Sequence, residues 1–167
     1  AIGNVIARRF AALGFDVRGY ARTPRSIEGV ETFAGTDRLA AFADGLDIVV
    51  SVLPLTPETP GMMNADFFGM LADGAFIING GRGPQVVDDD LLAALETGKL
   101  GGAALDVFAV EPLPQDHPFW THPAIRVWPH VAAQTNATSA AEQVAAAITA
   151  MMEGGEPANR VDWSRGY

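Results

Sequence analysis

Apolar positions recur along this chain with two periods, and the alternation lays out its elements. Ile2, Val5, Ile6, Phe10 and Leu13 fall near every 3.6 residues, which predicts an opening helix that Gly14 stops. FDVRGY (15–20) reads as a strand, ARTPRS (21–26) as a polar loop, and TDRLAAFAD (36–44) as a short helix with Thr36 as its N-cap. The unbroken apolar run DIVVSVLP (47–54) predicts a strand buried on both faces of a parallel sheet. A Pro- and Thr-containing loop follows at 55–62, a short helix at 64–73, and a second buried strand, GAFIING, at 74–80. Asp88 is placed as the cap of a helix over 88–100. A strand over 102–108, a proline-rich loop over 111–123, a strand over 125–130 and a helix over 139–155 complete the series.

Strands and helices thus alternate from end to end, the pattern of βαβ units. The expected fold class is α/β, a doubly wound parallel sheet. No internal repeat, low-complexity tract or linker interrupts it. The pattern opens inside a helix of the kind that ordinarily follows a strand and a glycine turn, so further residues are expected upstream.

Composition narrows the function. The chain has 167 residues, 49% hydrophobic and 19% charged, enough for one globular domain with a sizeable core. A net charge of −9 with only 11 Lys and Arg offers no basic stripe, so neither a nucleic acid nor a membrane surface is an expected partner. No apolar run approaches the roughly 20 residues of a spanning helix, and no signal-peptide pattern opens the chain. Without cysteine there is no disulfide or thiolate chemistry, which agrees with an expected cytoplasmic location.

Three segments carry the chemistry: GGRG (80–83), LDVFAVEP (105–112) and WPHVAA (128–133). They hold a cation, a carboxylate and an imidazole: Arg82, Glu111 and His130. Reversible hydride transfer to a 2-keto acid needs these three groups. The arginine grips the negative oxygens, the histidine gives a proton to the developing alkoxide, and the glutamate holds the imidazole and favours its charged form. An unperturbed histidine pKa of roughly 6.5 suits both directions of the reaction. His117 and His122 have no acidic or histidine neighbour at metal-ligand spacing and read as solvated loop residues. Asp88, Asp89 and Asp90 read as a cap and first-turn acids, and no metal site is expected. Trp128 is assigned to packing, and Trp120 and Trp163 are open as pocket residues.

The cofactor signal is split. Ile2-Gly3 begins the opening helix, and Gly3 fits the third glycine of a G-x-G-x-x-G turn, although a glycine there also serves plain packing. An NAD site would place an acid roughly 20 positions further on. Here the corresponding strand end carries Arg22, Thr23, Arg25 and Ser26 and no acid. Two guanidinium forks and two hydroxyls suit a 2′-phosphate, so NADP(H) is preferred and NAD(H) stays possible.

The motifs SVLPLTPET (51–59), INGGRGPQVVDDDLLAALETGKLGGAALDVFAVEPLP (78–114) and PHVAA (129–133), in this order, resemble the D-isomer-specific 2-hydroxyacid dehydrogenases. Within them the chain most resembles the bacterial glyoxylate/hydroxypyruvate reductases. The resemblance runs the whole length and departs at Gly81, where relatives usually carry alanine before the arginine. It implies a Rossmann-type NAD(P)-binding domain over 1–138 that lacks its first strand. The C-terminal helix and tail, 139–167, are then expected to return to an absent substrate domain. It implies that Leu53, Pro54 and Thr59 lie along the cofactor, and that Gly80, Gly81 and Asp106 lie near the nicotinamide, with Asp106 facing its carboxamide. Ala132 and Ala133 would leave room for the ring. The implied partners are a small 2-keto or 2-hydroxy acid and a second copy in a homodimer. Two alternatives stand beside the reductase: a non-catalytic dinucleotide sensor or corepressor-like scaffold, and an NAD-dependent phosphoglycerate-type dehydrogenase.

Overall fold

A computed structural model describes residues 2–158, 160 and 161. Helix α1 (Ile2–Ala12) leads into strands β1 (Arg18–Ala21) and β2 (Glu31–Ala34), which pair in parallel. After α2 (Leu39–Ala43) come β3 (Ile48–Ser51), α3 (Ala65–Met70), β4 (Ala75–Asn79), α4 (Asp88–Glu96), β5 (Leu100–Leu105) and β6 (Ile125–Val127). These last four strands form one parallel sheet in the order β3-β4-β5-β6. The long helix α5 (Ala137–Met152) closes the described chain. Parallel strands, with α2, α3 and α4 linking β2 to β3, β3 to β4 and β4 to β5, give the expected α/β architecture, a Rossmann-like sheet with flanking helices. Their carboxyl ends therefore all open on one side.

The core lies between the four-stranded sheet and α3 and α4. Phe67 and Phe68 of α3, Leu91 and Leu95 of α4, and Ala75 and Ile77 of β4 are buried together. Each fully buried large side chain contributes about 1.5–3 kcal/mol relative to leaving it in water. Phe119, from the turn before β6, is buried in the same cluster and pins the proline-rich loop to it.

Several expectations are corrected. The strand β2 falls in a stretch that the pattern left without an element. Thr36 does not cap: residues 36–38 form a 3-10 turn after Gly35, with no side-chain cap bond. Asp88 is already inside α4; Val87 occupies the cap position in extended conformation and offers no side-chain acceptor. Asn64 and Asn136 are the capping side chains, accepting from the amides of Phe67 and Ser139. The strands of the apolar runs are not buried on both faces. In β4, Ala75, Ile77 and Asn79 are buried while Phe76 and Ile78 are exposed, and Ile48 of β3 shares that exposure. The covered face is the one on which α3 and α4 pack. None of the α5 residues is buried. No helix among the described residues is long and apolar enough to cross a membrane.

Candidate active site

The carboxyl ends of β3, β4, β5 and β6 deliver the predicted residues to one side of the sheet, where open parallel sheets bind ligands. Glu111 follows β5 after a short turn and His130 follows β6. Although 19 residues apart in sequence, they meet: His130 Nδ1 lies 2.8 Å from Glu111 Oε2. The other carboxylate oxygen, Oε1, accepts the Phe108 amide at 2.9 Å. Glu111 is thus clamped by its own turn before it touches the histidine. These two hydrogen bonds, with the charges of the imidazolium and of Arg82 behind them, hold the Glu111 carboxyl below the usual carboxylate range. A carboxylate only accepts, so Nδ1 carries the proton and Nε2 is the free working atom. The His130 side chain is about half exposed, open to a substrate.

His130 adopts φ 56, a left-handed conformation that is uncommon outside glycine. Asp106 braces that turn from below: its two oxygens accept the amides of Val131 at 2.8 Å and Ala132 at 3.0 Å. Asp106 is itself buried at the end of β5. Its carboxylate is therefore engaged with the main chain that carries His130, a role that the sequence did not suggest. Ala132 and Ala133 are exposed beside it.

Arg82 stands just beyond β4, exposed, with Nη1 donating to the Gly81 carbonyl at 2.7 Å. Close approach of main chains fixes this turn. A Cβ on Gly83 would lie 1.8 Å from the Phe108 carbonyl carbon, and one on Gly81 would lie 2.9 Å from the Leu53 carbonyl oxygen. Asn79, buried at the end of β4, accepts the Gly81 amide at 3.0 Å and donates to the Arg82 carbonyl at 3.3 Å. Gly80 faces the Ser51 and Val52 end of β3.

The third group of predicted residues lies beyond β3 and β1. Leu53 and Pro54 leave β3, and their carbonyls accept from Gln85 Nε2 at 3.1 and 3.0 Å. Thr59 Oγ1 donates to the Pro54 carbonyl at 3.1 Å and closes the loop on itself. Gly3, at the start of α1, faces Val52; Ile2 beside it is exposed. Thr23, Arg25 and Ser26 are exposed in the loop after β1 and Arg22 is partly so. Arg22 is close enough to Glu58 to help lower that carboxyl's pKa, after the Thr56 hydroxyl bond and a main-chain bond. The loops after β1 and β3 therefore face each other.

Other expectations are revised. His117 is not solvated: its ring packs edge-on against Phe119 at 4.4 Å, and Nε2 lies 3.4 Å from Asp88 Oδ2. Burial nevertheless pushes the Asp88 carboxyl up. His122 Nδ1 accepts the Ala124 amide. Trp128 is not packed but 46% exposed, two residues from His130. Trp120 is exposed and donates to the Pro114 carbonyl at 2.8 Å. Trp163 lies outside the described residues. Gln85 was missed altogether, because a glutamine between Pro84 and two valines in a turn carries no signal that sets it apart from a surface residue.

The chain is similar to known proteins throughout. It is 49% identical to the glyoxylate/hydroxypyruvate reductase A of Serratia proteamaculans over 166 residues, 99% of this chain and 53% of that protein. The chain thus spans about half the length of the curated relatives it matches. A D-isomer specific 2-hydroxyacid dehydrogenase from Xanthobacter autotrophicus Py2, solved with NADPH and MES, superposes with a TM-score of 0.93 at 46% identity, covering 96% of this chain and 66% of that one. An NADPH-dependent glyoxylate/hydroxypyruvate reductase from Sinorhizobium meliloti, solved with NADP and sulfate, gives 0.94 at 41% identity, covering 99% and 54%. Residues 1–132 match the family described as D-isomer specific 2-hydroxyacid dehydrogenase, NAD binding domain, and by that match the chain belongs to the D-isomer specific 2-hydroxyacid dehydrogenases.

Proposed function

We propose that the protein reduces a small 2-keto acid, glyoxylate or hydroxypyruvate, to the 2-hydroxy acid, with NADPH as the preferred cofactor. The observation that carries this is the 2.8 Å contact between His130 Nδ1 and Glu111 Oε2, made at the strand ends beside an exposed Arg82. When bound, the cofactor supplies the hydride. Arg82 binds the carboxylate and carbonyl oxygens of the keto acid and neutralises their charge. His130 gives the Nε2 proton to the oxygen that becomes the hydroxyl and takes it back in the reverse direction. Glu111 keeps Nδ1 protonated throughout, so the proton that moves is always the one on Nε2.

The donor set after β1 suits the extra phosphate of NADP(H). Arg22, Thr23, Arg25 and Ser26 supply two cations and two hydroxyls, with no acid among residues 21–26 to repel it. The names and bound cofactors of the relatives support the same choice. Ile2 and Gly3 at the start of α1, the Leu53, Pro54 and Thr59 loop, and Gly80, Gly81, Asp106, Ala132 and Ala133 are proposed to line the rest of the cofactor path. Residues 1–138 would form the cofactor domain. Residues 139–167 would belong with a substrate domain, in a cytoplasmic homodimer.

NADPH and NADH oxidation by the full-length protein with glyoxylate and hydroxypyruvate tests the proposal. Turnover is expected to favour NADPH. His130→Ala should lower kcat by about 10²–10⁴-fold while leaving the NADPH Kd nearly unchanged. A protein that binds NADPH yet reduces neither keto acid would be a dinucleotide-binding scaffold instead.

A further inference from the structure

We propose that Gln85 is a positioning residue of this site, whose buried carboxamide fixes the main chain of Arg82 against the main chain of Leu53 and Pro54. The inference rests on the reductase reading above and extends it to a residue that touches neither substrate nor cofactor.

Gln85 is fully buried, at 0% exposure, in the turn that follows β4. Its side chain bridges the ends of two strands. Nε2 donates to the carbonyls of Leu53 at 3.1 Å and Pro54 at 3.0 Å, just beyond β3. Oε1 accepts the Arg82 amide at 3.1 Å, just beyond β4, and the Ser51 hydroxyl at 3.4 Å. A carboxamide has two N–H donors and two acceptor lone pairs, and all four are used here. The partners also dictate its orientation. Turned by half a rotation, the amide would set N–H against the Arg82 N–H and oxygen against two carbonyls.

The rest of the turn is built around this side chain. Main-chain bonds hold Gln85 from both directions, its amide donating to the Arg82 carbonyl at 3.2 Å and its carbonyl accepting the Met63 amide at 2.9 Å. A Cβ on Gly81 would lie 2.6 Å from Gln85 Oε1, so the carboxamide occupies the space beside a glycine. No other side chain does the same work. Glutamate would bury a charge and present acceptors to two carbonyls, while methionine keeps the length and offers neither bond.

Arg82 and the Leu53–Pro54 segment belong to opposite halves of the proposed site, one facing the keto acid and the other the cofactor. Releasing the bracket moves both, whereas Glu111 and His130 are held by Phe108 and Asp106, which follow β5. Loss of Gln85 should therefore weaken keto-acid and NADPH binding together and leave the pH profile of kcat in place. A glutamine that only stabilised the fold would change the melting temperature and the active fraction, not KM or Kd.

The test compares wild-type full-length protein with Gln85→Met and Gln85→Glu. The readouts are glyoxylate KM, NADPH Kd by fluorescence, kcat against pH, and Tm. In Gln85→Met, KM and Kd should each rise about 10-fold or more, since displacement of a positioned group by an ångström costs up to about 10²-fold. The shape of the kcat profile should be unchanged, and Gln85→Glu should be no better than methionine. Should Gln85→Met fail to fold, Gln85→Asn, which keeps the amide on a shorter stem, carries the same comparison with a smaller expected rise. A wild type that reduces no keto acid removes the reductase reading before any variant is made. A wild type that turns over, beside a folded variant with unchanged KM and Kd, overturns the role of Gln85 alone.

Discussion

Glu111 makes two polar contacts of different kinds, and this gives it a measurable pH signature. Its carboxyl is held below the ordinary range by the His130 bond first and the Phe108 amide second. A depressed acid stabilises the folded state at pH values above its unfolded pKa, about 4.3 for glutamate. It loses that contribution as pH falls through the lower folded value. The difference in Tm between wild type and Glu111→Gln should therefore persist from neutral pH down to about 5 and shrink only below about 4. A difference already lost above about pH 5, where the carboxylate is still ionised, would show that its two bonds do not stabilise the fold. The side chain is 35% exposed, so the effect should be modest and weaker in high salt. Arg82, Glu111 and His130 could be picked out from the chain because each sits in a motif whose neighbours are unusual. Gln85 and the bracing by Asp106 could not, since their partners are main-chain atoms of distant loops, and no residue type signals a carbonyl 31 or 32 residues away.

At the scale of elements, the site depends on how closely two strand exits approach. Gly83, in the turn after β4, lies against the Phe108 main chain after β5 so tightly that a Cβ would fall 2.0 Å from the Phe108 oxygen. No side-chain adjustment relieves a clash with backbone. Gly83→Ala should therefore cost about 3 kcal/mol or more, read as a lower denaturant midpoint. It should also separate Arg82 from Glu111, so activity should fall further than the loss of folded protein explains. Unchanged stability would show that the turn moves freely. The apolar runs at 47–54 and 74–80 made β3 and β4 legible, because a buried parallel strand has few other sequence forms. Their two-sided burial was not legible, since an apolar run does not record which of its faces a helix covers. Strand β2 was hidden because ETFA has only four residues, one of them acidic, and gains its strand form from pairing with β1. Helix starts were misplaced by a residue or so at Thr36 and Asp88. A capping residue type is recognisable, but whether it sits in the cap or the first turn depends on where the preceding loop delivers it.

For the molecule as a whole, the surface is unevenly finished. Ile48, Phe76 and Ile78 stand exposed on one face of the four-stranded sheet, and Val144, Ile148, Met151 and Met152 are exposed along α5. The pair β1-β2 is not hydrogen-bonded to the larger sheet, so β1, β2, β3 and β6 are all edge strands among the described residues. Scattered apolar side chains are ordinary on a protein surface. A bare sheet face, an unpartnered helix and four edge strands in one chain are not. This agrees with a chain that spans about half of its curated relatives, in which further residues would cover these surfaces. Expressed alone, the 167-residue chain should therefore bind a hydrophobic dye such as ANS and self-associate in sedimentation experiments. It should also lack keto-acid reduction, although it carries Arg82, Glu111 and His130. The full-length protein under the same conditions should show little dye binding and a single discrete assembly. If the isolated chain proved monomeric and dye-silent, these surfaces would be covered by rearrangement within the chain. The proposed division into a cofactor domain over 1–138 and a returning segment over 139–167 would then fall, because α5 would have found its partner on its own sheet.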